Sequence, residues 1–305
     1  MARMPNRRRH AVRTPILDVA YEASGSEDGT PVVLLHGFPD DPRAYDGALD
    51  GLAALGCRVL VPWLRGYGPT RFVDPETPRS GQQAALGADL LAFLDALDVD
   101  AAILVGYDWG GRVACIVAAL WPERCLGLVT IGGYNIQNIA HANRPQPAAS
   151  EYRAWYQHYF NTERGRAGLE QNRRDICRLL WELWSPDWHF DDATFERTAT
   201  SFDNPDFVDV VIHSYRHRRH AAPGDPALET IEQRLAAQPP ISVPTIVLHG
   251  ESDGVDPPSD DHDADHFGGP YERLLIPTAG HFLPHEAPET VVAAIQALLL
   301  GSGPP

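Results

Sequence analysis

The 305-residue chain is 44% hydrophobic and 22% charged, an ordinary globular composition, long enough for one large domain or a core with an inserted module. It carries 25 Lys and Arg against 41 Asp and Glu, a formal net charge of -16. That field disfavours nucleic acid and anionic membrane surfaces as partners and leaves a small molecule as the expected ligand.

The chain begins "MARMPNRRRH", basic like the first region of a secretory leader, but the segment after it is broken by Arg13, Pro15, Asp18 and Glu22, so a frayed basic terminus is expected there. No apolar run approaches the roughly 20 residues of a membrane helix. Short apolar runs then alternate with helical patterns. "PVVLLHG" (31–37), "CRVLVPW" (57–63), "AAILVGY" (101–107) and "LGLVTIGG" (126–133) read as buried strands. Between them, "YDGALDGLAALG" and "QQAALGADLLAFLDALD" place apolar residues at helical spacing. This alternation implies an α/β protein with a mostly parallel sheet covered on both faces.

From about Tyr134 to Pro240 no buried strand is expected, and the stretch is rich in Trp, Tyr, His and Arg. Strand rhythm returns at "VPTIVLHG" (243–250) and "YERLLIP" (271–277), and "PETVVAAIQALLLG" reads as a closing helix. The organisation is therefore a core of residues 1–133 and 241–305 with a helical cap, 134–240, inserted late. Cys57, Cys115, Cys125 and Cys177 are scattered without a C-x-x-C pair, which fits buried thiols in a reducing cytoplasm.

Reactive residues sit at the expected carboxyl ends of strands, where open α/β sheets place their sites. They are "HGFPDD" from His36, "GYDWGG" with Asp108, "HGESDGVD" with Asp253 and "AGHFLPHE" with His281. The order of nucleophile, acid and histidine resembles that of the α/β-hydrolase family, with an Asp where many members carry Ser. The resemblance runs from about Pro31 to the last helix. It implies that Asp108 is a nucleophile on a tight turn allowed by Gly106 and Gly110, that His281 activates water, and that Asp253 orients His281. It also implies backbone N–H donors at Phe38 and Trp109 for an oxyanion.

An ionised carboxylate, with a reference pKa of about 3.9, can displace a leaving group from saturated carbon without a base. That leaves epoxide opening or carbon–halogen cleavage through the same alkyl ester. "WYQHYF" and "HSYRHR" resemble two cap segments of soluble epoxide hydrolases, which makes Tyr156 and Tyr215 the expected proton donors to the opened oxygen. His36, Trp109, Trp155 and Phe160 are the expected substrate-binding residues, and the substrate is expected to be a neutral, apolar epoxide. The alternatives are a haloalkane or haloacid dehalogenase with the same triad, or a non-catalytic ligand-binding member of the fold. Fluoroacetate dehalogenases resemble D-R-G-x-R; this chain keeps Arg112 but has Trp109 in place of the first Arg.

No cofactor or metal is expected. The acidic run "SDDHDADH" (259–266) lacks the glycine turn and oxygen spacing of a calcium loop. "RHRRH" (216–220) reads as a cap surface or ion-pair cluster, and Trp155, Trp181, Trp184 and Trp188 as packing residues that could also line a pocket. Oligomeric state is not legible in the sequence.

Overall fold

The computed structural model describes residues 8–259 and 263–301. Part of the acidic run, residues 260–262, and the first seven residues of the basic start lie outside them.

The strands are β1 (Arg8–Arg13), β2 (Leu17–Gly25), β3 (Pro31–Leu35), β4 (Arg58–Pro62), β5 (Arg71–Phe72), β6 (Ala102–Tyr107), β7 (Cys125–Ile131), β8 (Thr245–Gly250) and β9 (Tyr271–Ile276). They form one sheet in the order β1-β2-β4-β3-β6-β7-β8-β9, with β5 paired to β2. Pairing is parallel from β4 through β9 and antiparallel at β1–β2, β2–β4 and β2–β5. The expected strands from β3 onward all form. The apolar runs read as buried because both faces are covered: every residue of β6 and β8 is buried. Each such Val, Leu or Ile contributes roughly 1.5–3 kcal/mol.

The N-terminal hairpin is the correction to the sequence reading. Arg8–Arg13 is a strand, not frayed chain, and the supposed breakers Arg13 and Asp18 face each other across β1 and β2 with a 2.8 Å ion pair. Apolar residues of β2 such as Leu17 and Val19 point into the core, and the remaining charged breaker, Glu22, is buried and paired with Arg43.

Helices α1 (Leu49–Ala54), α2 (Gln83–Ala96) and α3 (Asp108–Leu120) flank the sheet, and α3 packs on β6, β7, β3 and α2. Between β7 and β8 come α4 (Ala148–Arg153), α5 (Trp155–Phe160), α6 (Glu163–Trp184), α7 (Asp192–Ala199), α8 (Phe207–Arg218) and α9 (Glu229–Ala236). Helices α5, α6 and α8 pack on one another, whereas α9 packs on α2. Its Glu232 accepts the Ala84 N–H at 3.1 Å. Thr162 caps α6 by accepting the Gly165 N–H, and Asp191 caps α7 by accepting that of Thr194. The chain closes with α10 (Leu283–Glu286) and α11 (Pro288–Leu299).

After β3 the chain passes outward to β4 and then returns across to β6 on the other side of β3. The crevice above the carboxyl ends of β3 and β6 is therefore a topological switch point, and α5, α6 and α8 lie over it.

Candidate active site

Asp108 is the first residue of α3, directly after β6, with φ at +49°. A non-glycine residue held there costs about 1–3 kcal/mol, and its neighbours must let the turn close. A Cβ on Gly106 would stand 2.3 Å from the Gly110 backbone, and one on Gly110 would stand 2.0 Å from the Leu35 carbonyl. The turn thus lifts a carboxylate above the sheet while β3, β6 and α3 stay in contact. Asp108 Oδ1 accepts the Phe38 N–H at 2.7 Å. The Trp109 N–H lies in the first turn of the same helix, where no carbonyl one turn back can accept it.

His281 Nδ1 lies 2.9 Å from Asp253 Oδ2, and its Nε2 stands 3.9 Å from Asp108 Oδ2, too long for a direct hydrogen bond. Asp253 Oδ1 is fixed by the N–H groups of Val255 and Asp256 at 2.9 and 2.8 Å. Burial pulls the His281 pKa down, but the charge and hydrogen bond of Asp253, followed by Asp108 and Asp256, override it and raise it to about 9. The loops after β8 and β9 are tied to one point on α6: the Trp184 carbonyl accepts the N–H of Gly254 at 2.9 Å and of His281 at 3.2 Å. Glu286 braces the histidine loop from behind, accepting the Gly280 N–H at 2.8 Å and the Ser185 hydroxyl at 2.6 Å.

The overlying helices bring an aromatic wall. Tyr156 and Tyr215 meet edge to face with ring centroids 5.3 Å apart, and Phe38 lies 6.5 Å from the first and 5.4 Å from the second. Trp184 packs at 5.0 Å against both Tyr156 and His281. Burial pushes both phenols up, Tyr215 well above the ordinary tyrosine value. Tyr156 Oη accepts from Gln157 Nε2 at 3.1 Å. Tyr215 Oη, Trp109 Nε1 and His281 Nε2 are buried with no partner among the described residues. Such groups are costly to leave unpaired, and His281 Nε2, 3.9 Å from Asp108 Oδ2, lines the cavity where a ligand can supply the missing bond.

A cavity of about 240 Å³ opens beside Asp108. It is lined by Asp108, Tyr156, Asp253, Asp256 and His281, together with Arg112 and Arg218. All four residues expected to bind substrate lie outside this lining, as does Tyr215: Trp109 is fully buried, stacked on Phe38 at 5.7 Å and 6.0 Å from the Tyr215 ring. His36 is fully buried, with Nε2 accepting the Leu64 N–H at 3.0 Å and Nδ1 3.0 Å from the Gly37 carbonyl, so its ring joins the ends of β3 and β4. Trp155 packs on Tyr156 and Tyr159 outside the cavity. Phe160 stands behind the two tyrosines, 6.2 Å from Tyr156 and 5.5 Å from Tyr215. Of the four tryptophans in the inserted region, Trp184 alone touches the histidine.

Sequence reasoning missed two features. Asp40, fully buried, accepts the Tyr107 hydroxyl, the Asp41 N–H at 2.7 Å and His285 Nε2 at 2.9 Å, joining the ends of β3 and β6 to α10. The "PDD" after "HGF" was its only signal. Arg218 was hidden within "RHRRH". Arg216 does pair with Glu163 at 2.9 Å, as expected of a surface cluster, but Arg218 turns inward.

The α/β-hydrolase fold model matches residues 30–288. A crystal structure from Klebsiella pneumoniae, of a candidate epoxide hydrolase, superimposes with a TM-score of 0.94 at 44% identity, covering 95% of this chain and 97% of that one. Epoxide hydrolase A of Mycobacterium tuberculosis is 29% identical over 90% of this chain and 92% of its own length. The AB hydrolase superfamily protein YfhM of Bacillus subtilis is 28% identical over 73% of this chain and 78% of its own. With the switch-point crevice, the turn at Asp108 and a match over most of its length, the chain belongs to the α/β-hydrolase fold family.

Proposed function

We propose that this chain is an epoxide hydrolase, converting an epoxide and water to a vicinal diol through an ester on Asp108. One observation carries the reading. Asp108 sits on a positive-φ turn with one oxygen on the Phe38 N–H at 2.7 Å and the other 3.9 Å from His281 Nε2. The first oxygen is poised to become an ester carbonyl. The second faces the cavity as a nucleophile, and a water beside the pair can reach both it and His281 Nε2.

Asp108 Oδ2 attacks an epoxide carbon, and the carbon–oxygen bond of the ring breaks. The leaving oxygen takes a proton from Tyr156 or Tyr215, phenols that burial keeps protonated. Esterification removes the negative charge of Asp108, one of the groups that hold a proton on His281. The imidazolium then gives up its proton, which returns through solvent to the phenolate left by ring opening. Neutral His281 takes a proton from water as the water oxygen bonds to the Asp108 carbonyl carbon. The resulting oxyanion lies on the N–H groups of Phe38 and Trp109, each such donor contributing roughly 3 kcal/mol. Collapse releases the diol, the leaving oxygen taking its proton from His281, and the carboxylic acid left on Asp108 gives its proton to neutral His281, which restores the resting carboxylate and imidazolium.

Helices α4–α8 serve as the cap in this reading. Among the described residues no helix is long and apolar enough to cross a membrane. The four cysteines are all unpaired and buried, which supports a cytoplasmic setting. The expectation of a neutral, apolar substrate agrees with the aromatic cluster of Phe38, Tyr156 and Trp184 but not with the two guanidiniums that line the cavity beside Tyr156. A panel of epoxides and haloalkanes, assayed in parallel for diol and halide, tests the function. Diol formation is expected; halide release without diol would make the chain a dehalogenase.

A further inference from the structure

Arg112 and Arg218 are the unexplained residues of the cavity. Arg112 lies one turn after Asp108 on α3, and side chains of a helix lean toward its N-terminus, so its guanidinium points back toward the nucleophile. It is only 5% exposed. Its Nε has no partner, and neither do Nε and Nη2 of Arg218 at the end of α8, all three atoms being buried. Among the described residues neither arginine takes part in an ion pair. Their neighbours are held by acceptors: Arg216 pairs with Glu163, and Arg219, whose Nε is also unpartnered, donates its Nη groups to Gln157 Oε1 at 2.9 Å and to the Ala142 carbonyl at 3.1 Å.

The carboxylates of the cavity are largely spoken for. Asp253 takes His281 and two backbone N–H groups, and Asp108 takes the Phe38 N–H. The two guanidiniums also repel each other: burial lowers the Arg112 pKa to about 10, with Arg218 next among the causes and Asp108 opposing. Arg218 is half-buried and lies over the Tyr215 ring at 4.9 Å, but among the described residues neither guanidinium has an anion to pair with; two cations held together without one are unfavourable. Two of them beside a catalytic carboxylate, contributed by the core and by the overlying helices, form an incomplete anion site.

We propose that Arg112 and Arg218 together hold a carboxylate of the substrate, so that the epoxides turned over here are epoxy acids with the charged group within a few bonds of the ring. The planar guanidinium fork suits a carboxylate's two oxygens. Its second half comes from α8, so an epoxy acid would draw the overlying helices onto the core as it binds. This rests on the epoxide hydrolase reading only for the word epoxide; the anion site stands on the arginines.

The test uses the full chain with glycidate and its homologues longer by one and two methylenes, each against its primary amide, which has the same skeleton without the charge. At one chain length the acid should exceed the amide in kcat/KM by roughly tenfold or more, since hydrogen bonds to charged groups are worth that factor or above. Arg218→Gln, on the rim of the cavity, should raise KM for the acid roughly 10- to 100-fold and bring the acid-to-amide ratio close to one. Arg112→Gln should do the same, and Arg112→Lys should keep part of the preference. Amides turned over as well as acids, or variants that slow both equally, would overturn the proposal and make the arginines stabilisers of the opening oxygen. Calorimetry with butanoate and butanamide separates the two readings. Butanoate binding that needs Arg218, without turnover of any epoxide, keeps the anion site and removes the epoxide reading. Turnover of amides with no butanoate binding removes the anion site and keeps the epoxide reading.

Discussion

Replacing Asp108 by Asn removes its charge while preserving its shape, and so imitates the electrostatics of the ester. His281 Nε2 stands 3.9 Å from the affected oxygen. At that distance two unit charges in an effective dielectric of about 20 interact by roughly 4 kcal/mol, or about three pK units. The carboxylate charge is shared between two oxygens, and Oδ1 is partly neutralised by the Phe38 N–H, so about half that effect is expected, a fall of one to two units. His281, raised to about 9 in the resting protein, should then titrate close to neutrality. Nuclear magnetic resonance of the imidazole signals measures this directly. His285 is the internal control: it is also raised, against burial, but chiefly by Asp40, with Asp41 and Asp46 following. The consequence for catalysis has a definite sign. Ester hydrolysis needs neutral His281, so its rate should fall as pH drops through the lower, ester-state value rather than through about 9. A His281 that titrates identically in wild type and Asp108→Asn would refute the idea that alkylation releases the base.

Other outcomes follow from the same geometry. His281→Gln should slow hydrolysis roughly 10²- to 10⁴-fold while sparing alkylation, and mass spectrometry should find substrate bound to the peptide containing Asp108. Tyr156→Phe and Tyr215→Phe should each slow ring opening, with the double variant nearly inactive in a single-turnover assay; an unaltered double variant would exclude phenol donors. Asp253→Asn should lower the His281 pKa further than Asp108→Asn does, because Asp253 contributes more to raising it. It should also change the pH dependence of stability. A histidine raised by folding stabilises fully below about 6.5 and loses that contribution as pH climbs toward about 9. Thermal unfolding should show this decline in wild type and a flatter curve in Asp253→Asn.

The parts of this molecule that were legible in sequence are those in which chemistry and backbone geometry impose residue types. Buried parallel strands must be continuously apolar, so β3, β4, β6, β7 and β8 stood out, whereas β9, a half-exposed edge strand with Glu272 and Arg273, was marked only by its apolar run at 274–276. A side chain on a positive-φ turn between β6 and α3 needs small neighbours, so Asp108 was visible between Gly106 and Gly110. The N-terminal hairpin was not, because Arg13 and Asp18 look like breakers until their partners across the ladder are known. His36 was misleading for a related reason: a histidine beside the nucleophile loop can serve backbone groups as well as a ligand, and only the 3.0 Å contact with the Leu64 N–H decides between them. Arg218 differs from Arg216 and Arg219 only in where its place on α8 directs it, and composition carries no direction. Tyr156 was found by local resemblance, but its contacts with Phe38 and Trp184 depend on how helices distant in sequence dock.

The central claim is that a protein oxygen, not water, first bonds to the substrate carbon. Enzyme in excess over an epoxide, in water enriched in heavy oxygen, tests it in one turnover. Attack by Asp108 gives a diol whose new oxygen comes from the carboxylate and is unlabelled, while hydrolysis at the ester carbonyl leaves the label in the Asp108 peptide. Under multiple turnovers that labelled oxygen passes on to later diol. Direct attack of water predicts labelled diol from the first turnover with no label fixed in the protein. That result would contradict the account and reduce Asp108 to a base.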